Sequence, residues 1–206
     1  RVTSFYAAIP LDDAIWEKLK AFSDLDAFQD LDATRKRYVE ETCTSFIQSG
    51  ANLPLDKKSR IAEVQSRLSE ITQKFSENVL DSTNAWELVI DDESRLAGLP
   101  ESAKAASAAD AEGKGHEGKW RFTLQYPSMG PVLQYADDDE LRREIWEANG
   151  TVGRDGDFNN TALIWEILEL RQEKAELLGY DNFADLTLER RMARNGEAAL
   201  KFTEDL

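Results

Sequence analysis

The sequence predicts a mainly α fold: an antiparallel helical hairpin, further helices and one small β-strand pair. Three observations carry that prediction. Ile61, Val64, Leu68, Ile71, Phe75 and Val79 step by three and four, as one face of a helix does. Trp86, Leu88 and Ile90, and again Trp120, Phe122 and Leu124, recur at every second position, the period of half-buried strands. Helical spacing returns after Asp137 and runs to the end of the sequence.

Three regions follow from these periods: 1–85, a helical hairpin; 86–125, the strand pair with an insert; and 126–206, helical again. In the first, Asp12 or Asp13 is suited to cap a short helix with Ile15, Trp16, Leu19 and Phe22 on its inner side. A second helix is expected from about Asp30 to Ser49. It carries Leu31, Tyr38, Val39, Cys43, Phe46 and Ile47 at helical spacing, with Gly50 as its stop. Asn52-Leu53-Pro54 reads as a turn. The Ile61–Val79 stripe is then expected to pack back on the second helix. A coiled-coil scaffold built on the same stripe would instead give concentration-dependent oligomers.

The two strands are expected to pair, with Asp92 to Gly118 inserted between them. Within the insert, the Ala-rich stretch from Pro100 to Ala111 is suited to a helix opening at Pro100. Gly113-Lys114-Gly115-His116-Glu117-Gly118 reads as an exposed, flexible loop. Asp137 or Asp138 caps a helix from Glu140 to Ala148, ended by Gly150, and Thr151 to Asp157 is a glycine-rich loop. Asn160 or Thr161 opens the next helix, with Leu163, Ile164, Ile167, Leu168, Arg171, Ala175 and Leu178 along it and Gly179 as its stop. Phe183 to Met192 is expected to be helical. A last helix begins at Gly196, with Ala198, Ala199, Phe202 and Leu206 as its apolar face. A pattern that stops inside such a face is expected of a truncated chain.

Composition excludes several functions. The chain has 206 residues, 41% hydrophobic and 32% charged, the balance of a soluble globular protein able to bury a sizeable core. A net charge of −15 argues against nucleic acid and against an anionic membrane surface, both of which need clustered Lys and Arg. No stretch has the apolar length of a membrane span, and Arg1-Val2-Thr3-Ser4 lacks signal-peptide architecture. The single cysteine, Cys43, has no internal disulfide partner, which fits a reducing, cytoplasmic setting; it is expected to be a small buried apolar side chain.

The residues that carry chemistry elsewhere are scarce. A zinc site needs closely spaced His, Cys, Asp or Glu ligands. One histidine, His116, and one cysteine in different segments do not supply them. His116-Glu117 opens a His-Glu-x-x-His only superficially, since Gly118-Lys119-Trp120 follows. There is no Gly-x-Ser-x-Gly elbow. Gly150-Thr151-Val152-Gly153-Arg154-Asp155-Gly156 lacks the Gly-Lys-Ser/Thr of a phosphate loop, and Asp155-Gly156-Asp157 is too short for a calcium loop. Asp137-Asp138-Asp139-Glu140 is better explained as a helix N-terminus than as a cation site. Arg190, Arg191 and Arg194, beside Glu189, form the one arginine cluster. A helix would put Arg190 and Arg194 on one face, suited to grip a carboxylate or to form interdomain ion pairs, the second being the expected role. No residue of the chain is therefore assigned a catalytic, cofactor-binding or metal role.

One set of short motifs has a recognisable order. Lys119-Trp120-Arg121-Phe122-Thr123-Leu124-Gln125-Tyr126-Pro127 leads into Tyr135-Ala136-Asp137 and Leu141-Arg142-Arg143. Asn159-Asn160, Leu170-Arg171, Ala175-Glu176-Leu177-Leu178-Gly179-Tyr180 and Asn182-Phe183-Ala184-Asp185 follow. Earlier stand Arg35-Lys36-Arg37-Tyr38-Val39, Ser49-Gly50-Ala51-Asn52-Leu53-Pro54 and Phe75-Ser76-Glu77-Asn78-Val79. Together these resemble the oligopeptidase A / thimet oligopeptidase family of zinc metallopeptidases. The resemblance implies a mainly helical enzyme whose two lobes flank a deep channel admitting short, unfolded peptides. It also implies one zinc, held by a His-Glu-x-x-His motif and a further glutamate.

That motif is absent here, so the resemblance implies the amino-terminal, non-catalytic lobe of such an enzyme. The lobe would confine and position peptides beside a C-terminal catalytic lobe, hold no zinc itself, and be inactive alone. The loop from Thr151 to Asp157 is shorter than in oligopeptidase A, which leaves its contacts open. A free-standing helical interaction module derived from the family is the competing expectation.

Overall fold

The computed structural model describes residues 5, 6 and 8–206, so the reading of Arg1 to Ser4 lies outside the described residues. It is mainly helical with one two-stranded antiparallel sheet, as the sequence predicts. In chain order, a 3-10 turn at Ile9–Leu11 precedes helices α1 (Asp13–Ser23), α2 (Asp26–Gln29), α3 (Ala33–Ser49) and α4 (Leu55–Ala85). Then come β1 (Glu87–Ile90), a 3-10 turn (Glu93–Leu96), α5 (Glu101–Gly113) and β2 (Trp120–Thr123). The chain continues as α6 (Tyr126–Tyr135), α7 (Asp139–Gly150), a 3-10 turn (Gly156–Phe158), α8 (Thr161–Leu177), α9 (Phe183–Leu188) and α10 (Gly196–Glu204).

The chain divides into two compact units. One comprises the residues up to Ile71 together with 165–206; the other is 72–164. In the first, Asp12 caps α1 by accepting from Ile15 N at 3.0 Å, and Trp16 is buried against Phe46. Ile15, expected on the inner side, is instead exposed, because the helix sinks only its Trp16 edge. Asp32 caps α3, which ends at Gly50 in a left-handed conformation (φ 105°) that a side chain disfavours. Cys43 is half-buried rather than fully buried, and Ile47 is exposed, so α3 presents a shallower face than its pattern implied.

Helix α4 buries Ile61, Val64 and Ile71, the upper half of the predicted stripe. Its start meets α3 where Gln65 Nε2 donates to Ser49 O at 3.3 Å. It also runs antiparallel to α8. Arg60 grips Glu173 through two bonds of 2.6 and 2.9 Å, and seven residues on Arg67 grips Glu166, seven residues back, at 2.5 and 2.9 Å. One heptad advances while the other retreats, which only antiparallel helices allow. These forked pairs are half-exposed and contribute orientation more than stability.

In the second unit the strands pair in the register Leu88 to Phe122 and Ile90 to Trp120, so the alternating apolar residues share one face. Ile90, Leu96, Leu99, Phe122, Leu124, Val132, Ala136, Leu141 and Ile145 form the core beneath it. Pro100 is the N-cap residue of α5, as expected, and Asp138 caps α7 by accepting from Glu140 N and Leu141 N. Helix α6 was not expected. Pro127 sits in its first turn, where the missing N–H has no helical partner to lose, and Pro131 removes a single bond while Val132 is fully buried.

Further expectations about helices fail. The segment Phe183 to Met192 is helical only to Leu188. Asn182 Oδ1 caps α9 on Asp185 N, and the Asp185 carboxylate in turn accepts from Gly196 N at 2.7 Å. Returning Gly196 to Asp185 requires a turn, so the helix stops and Arg194 takes a left-handed φ of 70°. In α8, Ile164 and Leu168 are exposed although Ile167 and Ala175 are buried.

Candidate functional site

The candidate residues singled out in the sequence lie in separate parts of the structure. His116 lies half-buried at the end of the loop after α5, its N–H bonded to Ala111 O at 2.9 Å. Among the described residues no group of three His, Cys, Asp or Glu side chains is placed to hold a metal ion. The donors among the described residues therefore do not fit the zinc that the family resemblance implies for a whole enzyme.

The remaining candidates resolve into structural roles. In the acidic run, Asp138 caps α7 and also accepts from Arg95 Nε at 2.8 Å. The Arg95 guanidinium, then the Leu141 N–H, hold the Asp138 carboxyl below the usual carboxylate range. Asp139 pairs with Arg142, and Glu140 with Arg143. The loop from Thr151 to Asp157 is pinned to the end of α4: Gly153 N donates to Ser82 Oγ at 3.1 Å, and Asn160 N donates to Gly153 O at 2.7 Å. A side chain at Gly153 would lie 2.9 Å from Asn160 Nδ2, so this close approach needs glycine.

The same loop rests on a pair of buried amides that the sequence reading did not single out. Asn78 Nδ2 donates to Asn160 Oδ1 at 2.9 Å, and Asn160 Nδ2 donates to Phe75 O at 3.2 Å. Asn78 is 3% exposed, and its Oδ1 has no partner. The signal was its place in the α4 stripe one residue before Val79: Phe75 plus three gives Asn78, the buried position.

Two of the concave surfaces among the described residues gather charged side chains from several elements. In the second unit a cleft of about 450 Å³ opens between α5, β2 and the start of α6. Arg121 lines it and bridges Glu87 at 2.7 Å and Asp110 at 2.5 Å; the bond to Glu87 holds the Arg121 guanidinium charged and lowers the Glu87 carboxyl. Gln125 Nε2 donates to Asn84 Oδ1 at 3.0 Å, and Ser128 Oγ accepts from Thr123 N at 3.0 Å. The cleft offers hydrogen-bonding groups and an apolar wall. In the first unit a cleft of about 670 Å³ is lined by Arg37, Glu41 and the turn from Glu189 to Arg194. It gathers the predicted arginine cluster, although not on one helical face. Arg190 pairs with Glu41 inside its own unit.

Comparison with known proteins gives these surfaces a context. The sequence profile of Peptidase family M3 matches residues 132–206. Oligopeptidase A of Salmonella typhimurium is 39% identical over 199 residues, 94% of this chain and 29% of that protein. Oligopeptidase A of Escherichia coli is 41% identical over 195 residues, 91% of this chain and 28% of that protein. Dipeptidyl carboxypeptidase of Escherichia coli is 29% identical over 195 residues, covering 94% and 28%. The chain belongs to the oligopeptidase A / thimet oligopeptidase family of peptidases. It spans less than a third of the length of these relatives.

Proposed function

We propose that this chain is the amino-terminal, non-catalytic lobe of a zinc-dependent oligopeptidase. It walls and positions short unfolded peptides, while the ligands, the zinc and the bond-breaking step belong to a C-terminal lobe. The observation that carries this reading is the pairing of extended similarity to peptidases with a chain that has one histidine and no metal-binding cluster among its described residues. Confinement and orientation are a real share of catalysis, because a peptide held near its attack geometry forfeits less entropy in the transition state.

Trp165 and Leu168 on α8, and Leu200 and Phe202 on α10, are exposed, and we assign these apolar side chains to contact with the catalytic lobe. We place the protein in the cytoplasm, on its lone cysteine and on a relative described as a probable cytosolic oligopeptidase A of Arabidopsis thaliana. No helix among the described residues is long and apolar enough to cross a membrane.

The test is direct. The purified chain, incubated with short unfolded peptides and added zinc, is expected to leave them intact. Chelator-sensitive cleavage would sink the proposal. A free-standing interaction module would also leave them intact, but it would bind a partner other than a catalytic lobe through the same exposed apolar residues.

A further inference from the structure

The cleft of the first unit holds an unusual excess of positive charge for a chain of net charge −15. Four arginines line it, Arg37 from α3 and Arg190, Arg191 and Arg194 from the turn after α9, against two glutamates, Glu41 and Glu189. Four guanidiniums against two carboxylates leave a surplus of two positive charges. Both carboxylates are already engaged. Glu41 takes Arg37 at 2.5 Å on one oxygen and Arg190 on the other. Glu189 Oε2 accepts from Gln48 Nε2 and from the Tyr180 hydroxyl, each at 2.6 Å. The Arg191 and Arg194 side chains make no hydrogen bond or ion pair with the described residues.

The turn is held in shape. Arg191 N donates to Leu188 O at 2.8 Å, Arg194 N donates to Arg191 O at 3.2 Å, and the chain beyond is tied back through Gly196 N to Asp185. Arg194 pays a left-handed φ to stay there, and such strain persists only where surrounding structure enforces it. Met192, between Arg191 and Arg194 in sequence, lines the same cleft with a wholly exposed side chain. A planar fork of N–H donors beside an adaptable apolar side chain matches a carboxylate attached to an apolar residue. Glu41 and Glu189 at the rim, and the acidic molecule as a whole, disfavour polyanions.

We propose that this cleft binds a peptide by a carboxylate, gripped by Arg191 and Arg194, with the adjoining apolar side chain against Met192. The proposal rests on the peptide-handling reading above and names one anchor within it. The carboxylate can be the peptide's free C-terminus or an acidic side chain; the chemistry recognised is the same, and the test separates the two.

The experiment titrates the 206-residue chain with three peptides while following the arginine Nε–Hε resonances: N-acetyl-Ala-Ala-Leu as the free acid, the same peptide amidated, and amidated N-acetyl-Ala-Glu-Leu. Saturable shifts at Arg191 and Arg194 are expected with the free acid and not with its amide. Arg191→Gln and Arg194→Gln are each expected to weaken binding about tenfold, the scale of a lost charge-assisted hydrogen bond. Both side chains are exposed, so the variants fold. Binding of the glutamate peptide as well supports a general carboxylate site; its failure to bind supports a C-terminus site. Equal binding of acid and amide, no saturable shift, or binding indifferent to both substitutions overturns the proposal. If the amide binds elsewhere on the chain, the peptide-handling reading survives this failure; if no peptide binds at all, that reading fails too.

Discussion

Gly98 has a φ of 83°, and a Cβ there would sit 2.2 Å from Tyr135 O and 2.9 Å from Asp137 Cγ. Both neighbours are fixed, since Asp137 N donates to Ala97 O at 2.8 Å in the same corner. Gly98→Ala is therefore expected to destabilise the chain by about 2–4 kcal/mol, from backbone strain and overpacking together, read in urea unfolding. Arg194 is the opposite case, an exposed side chain in the same left-handed region. Arg194→Gly is expected to raise stability by about 1 kcal/mol while abolishing one proposed carboxylate contact. No change in stability would show that the turn is not strained. Burial pushes the Cys43 thiol up, against the partial relief of a bond with Ser23. A higher value means less thiolate at a given pH, so alkylation near pH 8 is expected to be slower in the folded chain than in urea. Equal rates would contradict the burial seen at Cys43.

Helix α7 shows how a cap and an ion pair combine. Asp138 accepts from two N–H groups at the helix start and from Arg95, and its carboxyl lies below the ordinary range. A carboxyl depressed in the folded chain contributes stability above its unfolded value, near 4, and loses it as pH falls through the folded one. Asp138→Ala is thus expected to cost about 1 kcal/mol at neutral pH, with the difference from the parent chain narrowing as the pH drops below about 4. A difference that stays constant into acid would mean that the charge on Asp138 contributes nothing. Capping aspartates are legible in sequence because a short acceptor before an apolar run has few other uses; of Asp12 or Asp13 and of Asp137 or Asp138, the structure selects Asp12 and Asp138. The expected strand pairing is observed, and its register brings Leu88, Ile90, Trp120 and Phe122 to one core. Helix α6 was hidden by Pro127 and Pro131, whose local cost is overridden by burial of Val132. The end of α9 was hidden because the Asp185 to Gly196 bond is between residues eleven apart, which no periodicity reports.

At the scale of the molecule, helical and strand periods were legible and surfaces were not. Its two cores are made of residues readable from helical and strand periods, Ile61, Val64 and Ile71 in one and Ile90, Phe122 and Leu141 in the other. The candidate surfaces were harder to read. The arginine cluster was visible as composition, but its cleft depends on Arg37, distant in sequence, and on a turn where a helix was expected. The buried Asn78–Asn160 pair was only half legible: the α4 stripe places Asn78 at an inward position, but no periodicity reports its partner 82 residues on. The chain spans less than a third of the length of its oligopeptidase A relatives.

The most direct measurement is to sequence the reading frame beyond the codon for Leu206. We expect it to continue into a His-Glu-x-x-His motif on a helix, followed by a further glutamate. A frame that ends there, or continues without that motif, would contradict a peptidase lobe and leave a non-catalytic relative whose partner must be sought.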